Sequence, residues 1–153
     1  MLVKSLQDHE EDASFGIVPI YYSGKETLVF ILRHLSGYWG FPKGHPNPGE
    51  TELDTAKREL YEETQLEVDK VISDKLLQEK YSFRVDGKTI HKTVSYFIAT
   101  VTSTHTVIDL KEAREGKWVD INEAPMHLTF KEAQRICRES CQILRGLNDE
   151  ANT

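Results

Sequence analysis

GHPNPGETELDTAKRELYEETQL, residues Gly44 to Leu66, is the stretch on which the reading of this chain turns. A loop holding Gly44, Gly49 and two prolines runs into a helix predicted over Thr51–Thr64, where Thr51 and Asp54 resemble a capping box with the shorter acid at its third position. At about 100° per residue, Leu53, Ala56, Leu60 and Thr64 share an arc of about 80°. Glu59, Glu62 and Glu63 share an arc of about 100° on the other side. The helix therefore has an apolar back and a carboxylate front. Like charges a few ångströms apart cost on the order of 1 kcal/mol per pair in water and about 4 at an effective dielectric of 20. A partly enclosed cluster of this kind favours a bound cation, and all-oxygen ligands suit Mg²⁺ or Mn²⁺ rather than Zn²⁺. The alternative is a solvated acidic face. The preceding loop favours the cation. Lys43 and His45 flank Gly44, and Gly40, Gly44 and Gly49 let backbone approach a ligand closely. A cationic side chain beside an acidic metal site is what a phosphate chain requires. The G-x-x-x-x-G-K-[ST] spacing of a P-loop is missing.

Outward from this segment, Phe15–Tyr22 and Thr27–Arg33 are β-rich runs joined by Ser23-Gly24-Lys25-Glu26, a hairpin signal. Pro19 puts the first run at a sheet edge or beside a bulge. Leu76–Val85 and Lys88–Val101 flank Asp86-Gly87, a two-residue turn suited to φ > 0. Lys117–Val119 reads as a short strand. Thr129–Arg145 reads as a second long helix, capped by Thr129 with Glu132 and closed by Gly146 at the position after its C-cap. Strands, helix, strands, helix predict one α/β domain with a mixed sheet between helices. The expected organisation is a frayed segment over 1–13, a single domain over 14–146 and a tail over 147–153.

With 153 residues, 39% of them hydrophobic and 29% charged, the chain is sized for one soluble domain. No apolar run is long enough for a membrane span, and the first residues have no signal-peptide pattern. Cys137 and Cys141 sit four apart in one helical stretch, poorly placed for a disulfide, so core packing in a reducing cytoplasm is expected. A net charge of −6 argues against dedicated nucleic-acid binding, without excluding a phosphate substrate at a site with local cations.

Gly44, Glu50 after five residues, then Arg58-Glu59-Leu60-x-Glu62-Glu63-x-x-Leu66 after seven more resemble the Nudix box, G-x5-E-x7-R-E-U-x-E-E-x-G-U. Eight of nine defined positions are filled; the departure is Gln65, where the family has a glycine that ends the helix in a left-handed conformation. The resemblance implies a Nudix-type α/β/α sandwich with a central mixed β-sheet. It implies hydrolysis of a nucleoside diphosphate linked to another group, with Mg²⁺ or Mn²⁺ held by Glu59, Glu62, Glu63 and the Gly44 carbonyl. Arg58 and Glu50 would orient the ligands. A fourth carboxylate would be Glu112, with Glu115 as runner-up, and the base Glu63 or Glu112.

Tyr38-Trp39-Gly40-Phe41-Pro42-Lys43-Gly44-His45 is similar to the W-x-F-P-K-G-H segment of the asymmetric diadenosine tetraphosphate hydrolases within that family. Tyr81-x-Phe83, Lys92-Thr93-Val94-x-Tyr96-Phe97, Lys117-Trp118-Val119 and Leu128-Thr129-Phe130 are similar to later segments of the same group. That resemblance implies diadenosine tetraphosphate as substrate, split to ATP and AMP; the chain is expected in the cytoplasm, as a monomer or dimer. Lys43, Lys92 and Tyr96 would bind the polyphosphate with His45 beside it, and Tyr81 and Phe130 would sandwich an adenine. Trp39 and Phe41 are expected as core or loop anchors. The alternatives are an RNA 5′-end pyrophosphohydrolase or decapping-type enzyme, an enzyme that cleans oxidised triphosphates from the nucleotide pool, and a Nudix module that binds nucleotide without turnover.

Overall fold

A computed structural model describes residues 8–151. Its elements run β1 (His9–Ser23), β2 (Glu26–His34), β3 (Trp39–Gly40), β4 (Lys43–Gly44), α1 (Glu52–Thr64), β5 (Val68–Val85), β6 (Lys88–Val101), β7 (Ala113–Asp120), α2 (Ala124–His127) and α3 (Lys131–Ala151). The sheet order is β3-β2-β1-β6-β5, with β7 on β2 and β4 on β1. The β1–β6 ladder is parallel and the other pairs are antiparallel, so the sheet is mixed. Ile17, Phe30 and Leu32 pack with Ala56 and Leu60 of α1. Val18, Ile20, Val29 and Ile98 pack with Ile136, Cys137 and Leu144 of α3. Period-two alternation divides these side chains between two faces and puts a helix on each, an α/β/α sandwich. Among the described residues no helix is long and apolar enough to cross a membrane. Both cysteines are free, and Cys137 is fully buried.

The capping box of α1 forms: Asp54 N donates to Thr51 Oγ1 at 3.1 Å, and Thr51 N donates to Asp54 Oδ2 at 3.3 Å. Gln65 keeps the left-handed conformation, with φ 63° and ψ 14°, and its N–H donates to Tyr61 O. A side chain there strains the backbone, while glycine adds entropy to the unfolded chain. Gln65→Gly is therefore expected to raise stability by up to about 1 kcal/mol in urea unfolding; a lower midpoint would contradict this account of the cap. Asp86 (φ 51°) and Gly87 (φ 77°) make the expected β5–β6 turn.

Several expectations give way. Residues 1–7 lie outside the described residues, but His9–Ala13, expected to fray, pair with Thr89–Thr93. β1 is an interior strand, not an edge. Ile17 N–H donates to Pro42 O, so by alternation the Pro19 nitrogen faces the same side. There it falls between the β4 pairing at Phe15–Gly16 and the β2 pairing that begins at Ile20. The missing donor sits in a gap between partner strands. β5 and β7 are longer than expected.

Thr129 caps no helix: its Oγ1 accepts from Trp39 N at 2.8 Å, tying α3 to the Trp39 loop. Glu132 pairs with Arg135 instead. Gly146 is interior to α3, which continues to Ala151. A glycine ends a helix only when it turns left-handed, and Gly146 has no positive φ.

The face under α3 carries the register that builds the site. Three rows cross β1, β6 and β5: Gly16–Tyr96–Leu77, Ser14–Val94–Glu79 and Asp12–Lys92–Tyr81.

Candidate active site

Arg58 is the hub of the acidic helix. Its Nε donates to Glu50 Oε2 at 2.7 Å and its Nη2 to Glu50 Oε1 at 3.0 Å, a two-pronged pair. Nη1 reaches Glu59 at 2.9 Å and Glu62 at 3.0 Å, and Nη2 also donates to His45 O at 2.8 Å. One guanidinium thus orients two of the three helix acids and ties them to the glycine loop. The bond to Arg58 holds the Glu50 carboxyl down at about 2, helped by the Asn47 backbone.

That loop is placed by β4, whose Lys43 and Gly44 pair with Gly16 and Phe15. A Cβ added to Gly44 would overlap the Glu59 carboxylate, so only glycine lets the strand lie against that acid. Glu63 lies deeper, at 5% exposure. Its Oε1 accepts from Lys43 N at 3.3 Å, while its Oε2 is buried with no hydrogen-bond partner. Burial, then the Glu59 charge, pushes the Glu63 carboxyl up to about 8, with Glu112 adding to this against Lys43. Burial also raises Glu59, against Arg58, with Glu62 and Glu112 contributing.

Glu112 is therefore close enough to act on both Glu59 and Glu63. The runner-up, Glu115, is instead paired with Arg33 at 3.3 Å. Among the described residues no three His, Cys, Asp or Glu side chains already form a metal cage, since Arg58 draws Glu59 and Glu62 to itself. The donors nonetheless fit a hard divalent cation: an orphaned buried carboxylate oxygen, a backbone strand in contact with a second carboxylate, and a third acid whose charge reaches both.

Beside the acids lies a cleft of about 570 Å³. Lys43, Tyr81, Tyr96 and Phe130 all line it, together with Tyr38, Trp39, Phe41 and Glu79. Phe41 is fully buried, as an anchor should be. Trp39 is also cleft wall, with Lys117 Nζ 4.8 Å from its ring centroid. Tyr96 is 3% exposed, and its hydroxyl donates to Glu79 Oε1 at 3.4 Å.

Lys92 and His45 are not among the lining residues. The Lys92 ammonium donates to Asp12 Oδ2 at 2.7 Å and Ser14 Oγ at 2.6 Å, and lies 3.1 Å from His45 Nε2. Burial works to raise Asp12, yet Lys92 and His45 hold its carboxyl below the usual range. The expected ligands thus divide into an acidic helix, an aromatic cleft and a Lys92 cluster. Asp12, Ser14, Tyr38 and Glu79 were missed from sequence. The signal for Glu79 was its place between Leu77 and Tyr81, in the inward phase of an alternating strand. Asp12 and Ser14 lie ahead of the β-rich run that begins at Phe15, and so carry no strand signal in the sequence.

The NUDIX domain family matches residues 11–139. The chain belongs to the Nudix hydrolase family. Over 122 residues it is 32% identical to the mouse asymmetrical bis(5′-nucleosyl)-tetraphosphatase, covering 77% of this chain and 82% of that protein. It is 30% identical to an RNA pyrophosphohydrolase of Erythrobacter litoralis, with 77% and 83% covered. In structure it is similar to a Caenorhabditis elegans Ap4A hydrolase binary complex, with a TM-score of 0.71 at 23% identity over 88% of this chain and 98% of that one. That last likeness concerns the fold. Against the Nudix box, the helix acids, Arg58, Glu50 and Gly44 of this family member stand together in space.

Proposed function

We propose that this Nudix hydrolase splits dinucleoside polyphosphates, diadenosine tetraphosphate giving ATP and AMP, in a Mg²⁺-dependent reaction in a reducing cytoplasm. The observation that carries the reading is the juxtaposition of an aromatic cleft wide enough for a nucleobase with an acid cluster bridged to it by Lys43. Tyr81 and Phe130 stack the base, each worth about 1–3 kcal/mol. Lys43 meets the polyphosphate, and the Lys92 ammonium extends the cationic side of its path with His45 beside it. Tyr96 forms cleft wall, with its hydroxyl turned to Glu79.

Glu59, Glu62, Glu63, Glu112 and the Gly44 carbonyl would hold the divalent ion, and Arg58, itself gripped by Glu50, keeps Glu59 and Glu62 in register. When bound, the metal lowers the pKa of water and neutralises charge that develops on phosphorus. Glu63 takes the water proton as the water oxygen bonds to phosphorus and the bridging P–O bond breaks. Glu112, more exposed, serves as a ligand. The similarity to RNA pyrophosphohydrolases supports a second substrate class. Against it, the cleft sets Glu79 and Glu132 against Lys43 and Lys131, without the excess of cations an RNA path needs.

Incubation with diadenosine tetraphosphate and Mg²⁺, resolved by chromatography, is expected to give ATP and AMP. Two ADP, or turnover confined to a 5′-triphosphorylated RNA assayed in parallel, overturns the reading.

A further inference from the structure

We propose that Glu79 makes the aromatic cleft a guanine-preferring subsite, its carboxylate accepting from the N1–H and the 2-amino group of the base. The inference rests on the reading of that cleft as a base site and adds which base it favours. Glu79 and Tyr81 are alternate residues of β5 on the face that lines the cleft. A purine lying against the Tyr81 ring therefore turns an edge toward Glu79.

The carboxylate has capacity to spare. Its one hydrogen bond among the described residues is the long 3.4 Å contact from Tyr96 to Oε1, which leaves Oε2 free. The other acid in the cleft wall, Glu132, is already held by Arg135 at 2.6 Å. Burial raises the Glu79 carboxyl, with Glu132 adding to this while Lys43, Tyr96 and Arg135 oppose. Glu79 is half-buried, so a ligand that supplies donors to Oε2 takes the place of solvent there.

A carboxylate accepts only. Guanine places two adjacent donors on its Watson–Crick edge and meets both oxygens. Adenine and cytosine offer one amino donor beside a ring nitrogen whose lone pair repels the carboxylate. Uracil offers one N–H between two carbonyls. Diadenosine tetraphosphate is still accepted, because stacking is tolerant of base identity, but guanine-bearing dinucleoside polyphosphates bind more tightly.

The test is calorimetric titration of the full chain with GMP, IMP and AMP in the presence of a chelator, where nothing is hydrolysed. GMP is expected to bind roughly tenfold or more tightly than AMP, with IMP, which lacks the 2-amino group, between them. In Glu79→Gln the preference collapses, because one acceptor becomes a donor. In Glu132→Gln it persists. Equal affinity of the wild type for GMP and AMP, or a preference that survives in Glu79→Gln, overturns the proposal. Neither result bears on where a tetraphosphate is cut, so failure of the product analysis and failure of the base preference are separate outcomes.

Discussion

Glu63→Gln is expected to leave the fold standing and to lower Mg²⁺-dependent turnover by roughly 10²–10⁴-fold, the usual contribution of a positioned general base. Glutamine matches glutamate in shape, so the packing around Glu63 survives. What disappears is an oxygen that binds a cation or a proton. The same change has a signature in the metal-free protein. Burial and Glu59 push the Glu63 carboxyl from 4.5 up to about 8. The folded state thus binds this proton more tightly than the unfolded chain does. The associated stability is fully present below about pH 4.5 and is lost as pH rises through about 8. With a chelator present, Glu63→Gln is therefore expected to be more stable than wild type at pH 9, by a few kcal/mol at most, and the gap closes toward pH 5. Thermal unfolding across that range reads it directly. Undiminished turnover removes Glu63 from the chemistry, and a variant less stable than wild type at pH 9 contradicts the buried, charge-crowded site.

Gly44→Ala is expected to cost about 10²-fold in kcat/KM, the scale on which a displacement of about 1 Å is felt at a reacting centre. The added methyl would overlap the Glu59 carboxylate, and Gly44 is held by its pairing with Phe15. Either Glu59 swings away from the strand or β4 leaves β1, taking Lys43 with it. Both separate the acids from the cleft. Global stability changes little, because β4 is two residues long and adds few buried apolar contacts. Kinetics at increasing Mg²⁺ show the loss as a weakened metal dependence. Gly146→Ala is the control: its methyl meets open space within α3, and its turnover matches wild type. Wild-type kcat/KM in Gly44→Ala would mean that the loop and Glu59 do not act together.

The features legible in the sequence are those that short-range rules encode. Thr51 and Asp54 cap α1 because two side chains three apart reach each other's backbone in any context. Asp86-Gly87 turns because that pair accepts positive φ. The carboxylate front follows from the helical period alone, so Glu59, Glu62 and Glu63 are legible as one face without any fold. The same local rules misled where a longer-range partner prevailed. Thr129 bonds to Trp39, ninety positions away, rather than to its own helix.

Within one chain, then, the amino-acid order by itself determined the α/β class, the capped acidic helix and the glycine loop that precedes it. Only the tertiary structure decided that the charge of Glu112 reaches those acids while Glu115 pairs with Arg33, that Lys92 answers to Asp12 and Ser14, and that Glu79 opens into an aromatic cleft. The physical reason is separation: caps and turns are settled among neighbours, whereas Asp12 meets Lys92 across eighty positions through the parallel register of β1 on β6. A one-residue slip in that ladder would set Asp12 and Lys92 on opposite faces of the sheet.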